Sequence, residues 1–261
     1  MQIVKSLLYD VNANALQTAQ LIRHGIVIIR QLFDPVKLEI EVGKRTRDLC
    51  QQLFNSPKPD TPPDCWNVNF TKRALSPVAI ETSPSVLPTV ARLIMESPLW
   101  AALQSIIPPD SPGKPPIRGG RLRFQPPDHV NHPLHQDMCF HPIPAFFTIW
   151  VPVNPPGQDS GRECPGLQLL NLPITEELPL ASPNDIGLDP KSLLPYCIQQ
   201  PCEAFLIRPQ LKLGDALLFR EFIPHGGFIP DKACASRVSF DFRIPLDLPR
   251  AYLPKDVDNS T

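Results

Sequence analysis

The chain has 261 residues, with 25 basic against 26 acidic side chains and a net charge of −1. Without a basic run it offers nothing electrostatic to nucleic acid or to an anionic membrane, and it has no apolar stretch of about 18 residues that could span one. Its 35 prolines, more than twice the usual share of about 5%, restrict helix interiors and central strands and imply many ordered turns.

The 7 cysteines are odd in number and irregularly spaced. Together with the lack of a secretory leader, this reads as a reduced, cytoplasmic protein. A single domain over residues 1–261 is expected, with helices over about 1–116, a barrel core over about 117–245 and a tail at 246–261.

In chain order, residues 14–23 read as a short helix stopped by His24-Gly25, and the apolar run 26–29 reads as a buried strand. Asp34-Pro35 supplies an N-cap and a first-turn proline for a helix over 36–54. Its apolar positions would be Val36, Ile40, Leu49, Leu53 and Phe54, interrupted by a polar gap at 43–48. Residues 56–63 and 108–116 are proline-rich loops, and between them 98–107 forms a helix opened by Pro98, with Trp100 in the core. The strand over 117–124 places Arg121, Arg123 and Gln125 on one face and Leu122 and Phe124 on the other. If the polar face lines a pocket, Arg123 and Gln125 are candidate substrate contacts; otherwise the face is solvated. Further strands are expected at 167–170, 204–208 and 216–219. A proline-punctuated insertion from 174 to 201 is a candidate lid.

The chemistry concentrates between Arg121 and Val153, where four of the 6 histidines lie: His129, His132, His135 and His141. In an extended segment, side chains two apart point the same way, so His135 and Asp137 can grip one ion together. His225, in the Pro-His-Gly-Gly corner after the Gly214-Asp215 turn, can supply a third ligand. Two histidines and one carboxylate with open positions beside them suit a non-haem Fe(II) site. Arg237, 12 residues beyond His225 on an alternating strand, can hold a carboxylate through paired hydrogen bonds. A zinc site built from His129, His132, His135 and His141 is the rival, but it leaves Asp137 and His225 without a role. His24 reads as a helix end, Cys139 as a small buried residue or a pocket neighbour, and Arg237 otherwise as a buried arginine paired with Asp241 or another acid.

The chain resembles the Fe(II)/2-oxoglutarate-dependent oxygenases, and among them the phytanoyl-CoA dioxygenase-like family. The resemblance is carried by Leu134-His135-Gln136-Asp137, Thr148 to Val153, Pro165 to Leu170, Gly214 to Phe219, His225-Gly226-Gly227 and Ser236 to Ser239. Where that family often reads Pro-Gly-Ser-His, this chain reads Asn171-Leu172-Pro173.

The resemblance implies a mainly β fold with flanking helices, a double-stranded β-helix of the jelly-roll or cupin-like kind. It implies Fe(II) on His135, Asp137 and His225, with 2-oxoglutarate and O2 as co-substrates. Arg237 would bind the distal carboxylate with Ser239 beside it, and Trp150 and Thr148 would wall the pocket. The expected activity is hydroxylation of an unactivated C–H bond of a small molecule, with succinate and CO2 as co-products. The alternatives are a hydroxylase of a peptide or protein side chain and a catalytically silent metal-binding barrel.

Overall fold

A computed structural model describes residues 8–46, 48, 86–108, 117–125, 127, 133–140, 145–172, 174, 176–182, 187–196 and 201–248. The proline-rich loop at 56–63, most of that at 108–116, the end of the 36–54 helix and the tail after 248 lie outside these residues, as do His129, His132 and His141.

Among the described residues, nine strands form two sheets. They are β1 (Leu8–Asn12), β2 (Ile26–Arg30), β3 (Arg118–Gln125), β4 (Phe146–Pro152), β5 (Gly166–Leu170), β6 (Leu206–Ile207), β7 (Ala216–Arg220), β8 (His225–Phe228) and β9 (Arg237–Pro245). The larger sheet runs β1-β2-β7-β4-β9-β3, and the smaller one runs β6-β5-β8. β1 and β3 stand at opposite edges of the larger sheet, so the expected barrel is realised as two sheets, not as one closed ring. Strand β1 was not expected; it lies parallel to β2, with Leu8 opposite Ile26.

Period-two alternation makes the larger sheet a partition between two cores. On β2, Val27 and Ile29 face one side while Ile26 and Ile28 face the other. The first side continues through Leu218, Ile149, Val151, Val238, Phe240 and Phe242, and it packs on the helices α1 (Thr18–Arg23), α3 (Val86–Glu96) and α4 (Pro98–Leu103). Leu21, Val90, Leu93, Ile94, Leu99 and Leu103 are the helical contributions. The second side, with Leu217, Phe219 and Trp150, meets Leu169 of the smaller sheet and Leu211. Trp100 packs against the first core, as the sequence indicated.

Several local expectations are corrected. The 14–23 helix is interrupted: residues Ala13–Ala15 form a 3-10 turn under the Asn12 cap, and α1 begins only at Thr18. Asp34 does cap α2 (Pro35–Leu38), accepting the Lys37 N–H at 2.9 Å, but a π-turn at Glu39–Gly43 follows. The buried stripe there is Leu38 and Val42, while Val36 and Ile40 are 67% and 69% exposed. The strand expected at 204–208 is reduced to Leu206–Ile207, because Cys202–Phe205 coils into a 3-10 turn. Cys202 is disulfide-bonded, whereas Cys164 and Cys234 are free thiols. Among the described residues, no helix is long and apolar enough to cross a membrane.

Candidate metal centre

His135 enters the site through the backbone. Its N–H donates to His225 O at 2.8 Å and the His225 N–H returns to His135 O at 2.9 Å, so the two residues form an antiparallel bridge that sets their rings side by side. The ring centres are 4.3 Å apart. Gln136 is extended at φ −110° and ψ 134°, so Asp137 points to the same side as His135 before the chain coils into the 3-10 turn Asp137–Cys139.

The ligating atoms of His135, Asp137 and His225 all lie within 4.8 Å of one another. Each imidazole Nδ1 faces a carbonyl, Pro133 O at 3.1 Å for His135 and Ile223 O at 3.0 Å for His225. A carbonyl can only accept, so Nδ1 carries the proton and Nε2 keeps its lone pair. That is the tautomer a metal requires, fixed by the outer contacts that orient ligating histidines. Burial, then the neighbouring His135, pushes His225 down to about 3, and burial also lowers His135. Both rings are neutral donors at ordinary pH.

Asp137 is held on both oxygens. Thr148 donates its hydroxyl to Oδ2 at 2.6 Å, and Arg243 Nη2 lies 3.1 Å from Oδ1 and 3.0 Å from Oδ2. Burial alone would raise this carboxyl; Arg243, the two histidines and Thr148 outweigh it and hold it well below the usual carboxylate range. Oδ1, 3.9 Å from His225 Nε2, is the oxygen turned toward the imidazoles.

The face of β9 that looks into this site carries Arg237, Ser239, Asp241 and Arg243. Strand register places Thr148 opposite Arg243, Trp150 opposite Asp241 and Arg123 opposite Ser239. Arg123 bonds Asp241 at 2.6 Å, so the polar face of β3 does line the interior, but Arg123 is engaged by an acid. Gln125 is buried opposite Arg237. The side chain of Arg121 is outside the described set.

Arg237 differs from its neighbours. It is buried, with Nη1 donating to Gly166 O at 3.1 Å and its guanidinium carbon 5.5 Å from the Trp150 ring centre. Among the described residues no carboxylate comes within ion-pair distance of it, so the alternative pairing with Asp241 is not made. Among the described residues, Arg237 Nε and the adjacent Ser239 Oγ are buried without a hydrogen-bond partner, as is Nδ2 of Asn154, whose Oδ1 accepts the Val238 N–H at 2.8 Å. Burial, and then the like charge of Arg123, brings Arg237 down to about 9. A buried cation beside an unpaired hydroxyl is costly unless an anion completes it.

Thr148, expected to wall a co-substrate pocket, donates its hydroxyl to Asp137. Arg243, Gln136 and Asn154 were not foreseen. The alternation from Arg237 to Arg243 was the available signal for Arg243. His24 caps the C-terminus of α1, the helix end the sequence indicated, and stacks on Tyr9 with ring centres 5.1 Å apart. Cys139 is half-buried against the second core.

No protein-family model and no curated protein matches the chain. Solved structures do. A non-heme monooxygenase, ThoJ in its apo form, aligns at 12% identity and a TM-score of 0.51 over 87% of this chain and 75% of the other. EvdO2 from Micromonospora carbonacea var. aurantiaca aligns at 16% identity and a TM-score of 0.51 over 94% of both chains. At such identities the likeness is one of fold, and this chain therefore has a fold shared with a non-heme oxygenase.

Proposed function

We propose that the protein is a non-haem Fe(II) oxygenase that uses 2-oxoglutarate and O2 to hydroxylate a small molecule, with the two sheets acting as the halves of a double-stranded β-helix. The donor set fits the metal: two neutral imidazoles presenting Nε2 and one ionised carboxylate, on one side of the ion, leave the other side for reactants. Bound iron would supply the oxidation of an unactivated C–H bond, coupled to decarboxylation of the 2-oxo acid to succinate and CO2.

The observation that carries 2-oxoglutarate as co-substrate is the buried Arg237, which has no acid partner among the described residues, next to a Ser239 hydroxyl that is likewise unpaired among them. A distal carboxylate would take both, in charge-assisted hydrogen bonds, while Trp150 walls the guanidinium. His135, Asp137 and His225 hold the metal, Thr148 and Arg243 hold the carboxylate ligand, and Arg123 and Gln125 stand on the strand facing the remaining space. The apolar second core excludes water from behind the site.

An anaerobic optical titration of metal-free protein with Fe(II) and 2-oxoglutarate tests this reading without knowledge of the substrate. The expected result is a visible charge-transfer band in the wild type that is weakened in Asp137→Ala and in Arg237→Ala. Absence of the band in wild-type protein that has bound iron would overturn the co-substrate assignment. Failure to bind iron at all would overturn the metal centre.

A further inference from the structure

Gln136, between the two ligands, is fully buried. Because its backbone is extended, its side chain leaves on the side opposite His135 and Asp137, away from the metal. There its Nε2 donates to Phe222 O at 2.7 Å and Glu176 O at 2.9 Å, and its Oε1 accepts the Leu178 N–H at 2.8 Å. Phe222 lies in the turn that delivers His225, immediately before Ile223, whose carbonyl fixes the His225 ring. Glu176 and Leu178 lie in the long connection between β5 and β6. One carboxamide therefore joins both ligand-bearing turns to that connection.

A second contact joins the same parts independently. The Leu188 N–H donates to Leu134 O at 2.8 Å, beside His135. Leu134 also packs against the cluster of Leu172, Ile174, Leu178, Leu188 and Leu193. The connection has its own small core, and that core is seated on the back of the ligand turn. No other described contact of Gln136 explains why an amide is buried between two metal ligands.

We propose that Gln136 is a positioning residue through which the β5–β6 connection and the metal centre stabilise each other. Metal binding orders residues 176–182 and 187–188, and a substrate that settles against the connection tightens the metal. This rests on the metal-binding reading above. Coupling of this kind is reciprocal: if the connection favours the metal, the metal must favour the connection to the same degree.

The test uses Co(II) as the probe, followed by its visible absorption, with hydrogen exchange read at the Ala181 and Leu188 amides. In the wild type, Co(II) is expected to slow exchange at these amides about tenfold, within the usual range of coupling between sites. In Gln136→Leu, Co(II) should bind about tenfold more weakly and the metal-dependent protection should vanish. Leu188→Pro, which removes the N–H donated to Leu134 and touches no ligand, should also weaken Co(II) severalfold. A merely structural role predicts lowered melting temperatures with Co(II) affinity unchanged in both variants, and that result would sink the inference. So would wild-type protein that binds Co(II) with no change in exchange at the connection, leaving the metal centre intact. If the wild type binds no Co(II), the metal reading falls and this inference falls with it.

Discussion

The guanidinium of Arg243 lies across both carboxylate oxygens of Asp137, with Nη2 3.1 Å from Oδ1 and 3.0 Å from Oδ2. Arg243 is 2% exposed and stands in register with Thr148, which bonds the same carboxylate. The pair fixes the rotation of Asp137, and it also neutralises the acid while no metal is bound.

Removing the cation should therefore act in opposite directions on the two states. Truncating one member of a buried ion pair costs about 3–5 kcal/mol, because the other charge is stranded. Arg243→Met is thus expected to lower the melting temperature of metal-free protein substantially. A divalent ion would neutralise the stranded carboxylate and would no longer be repelled by the guanidinium. Co(II) should then raise the melting temperature of Arg243→Met by more than it raises that of the wild type. Equal or smaller metal-induced stabilisation in the variant would show that Arg243 is not the counter-charge of the ligand.

Arg237 should behave in the opposite way in the absence of ligands. It is a buried cation without an acid within ion-pair distance among the described residues, and burial already pushes it down to about 9. Arg237→Met keeps most of the volume and removes that cost, so the melting temperature should hold or rise. Hydrogen bonds to a charged group contribute about 1.5–3 kcal/mol, so 2-oxoglutarate binding to the Co(II) form should weaken about tenfold to a hundredfold. Calorimetric titration and a thermal scan of the same samples read both effects. A variant that is less stable and binds the dicarboxylate as well as the wild type would return Arg237 to a structural role.

Acid should destabilise the metal-free protein through the same residues. Burial lowers His225 to about 3 and lowers His135, whereas both titrate near 6.5 in an unfolded chain. Between those values the unfolded state binds protons that the folded state refuses, so stability rises with pH. It is complete above about 6.5 and is lost as the pH falls toward 3. Asp137, also held below its ordinary range, adds a loss of the same sign at the acid end. Melting temperatures measured from pH 7 to pH 4 should fall steadily, and the slope should be shallower in His225→Gln. A flat profile in the wild type would mean that the imidazoles are not held neutral.

What could be read from the chain was residue type and local spacing. The pair His135 and Asp137, the distal His225 and the alternating strand from Arg237 are local features, and the structure assembles them. Which acid each arginine meets is decided by strand neighbours: β9 lies between β4 and β3, and those pairings join residues about 90 to 125 positions apart. Arg243 was therefore visible as an inward position, but its contact with Asp137 was not. The stripe of α2 was misjudged because Val36 and Ile40 share helical spacing with each other as well as Leu38 and Val42 do, and only the packing of the first core decides between the pairs. The edge strand β1 escaped because LYDVN is mostly polar or half-exposed, and only its pairing with β2 makes it a strand.

The turn that launches β7 toward His225 offers a test of local strain. Gly214 has φ +97°, and a Cβ there would lie 2.7 Å from Phe33 O. That backbone cannot retreat easily, because the Phe33 N–H donates to Gly214 O at 3.0 Å. The neighbouring Asp215 fixes the turn further, accepting the Gln31 N–H at 3.0 Å and the Lys212 N–H at 3.1 Å. Gly157 has a similar φ of +82° but, among the described residues, nothing within 4 Å of its Cβ position. Alanine at 157 should cost about 1 kcal/mol, the left-handed backbone alone. Alanine at 214 carries the same backbone cost plus a clash with main chain, so its cost should exceed about 2 kcal/mol. Urea unfolding of Gly157→Ala and Gly214→Ala separates the two contributions. Equal losses in the two variants would mean that the β7 turn yields, and that it does not set the position of the strand leading to His225.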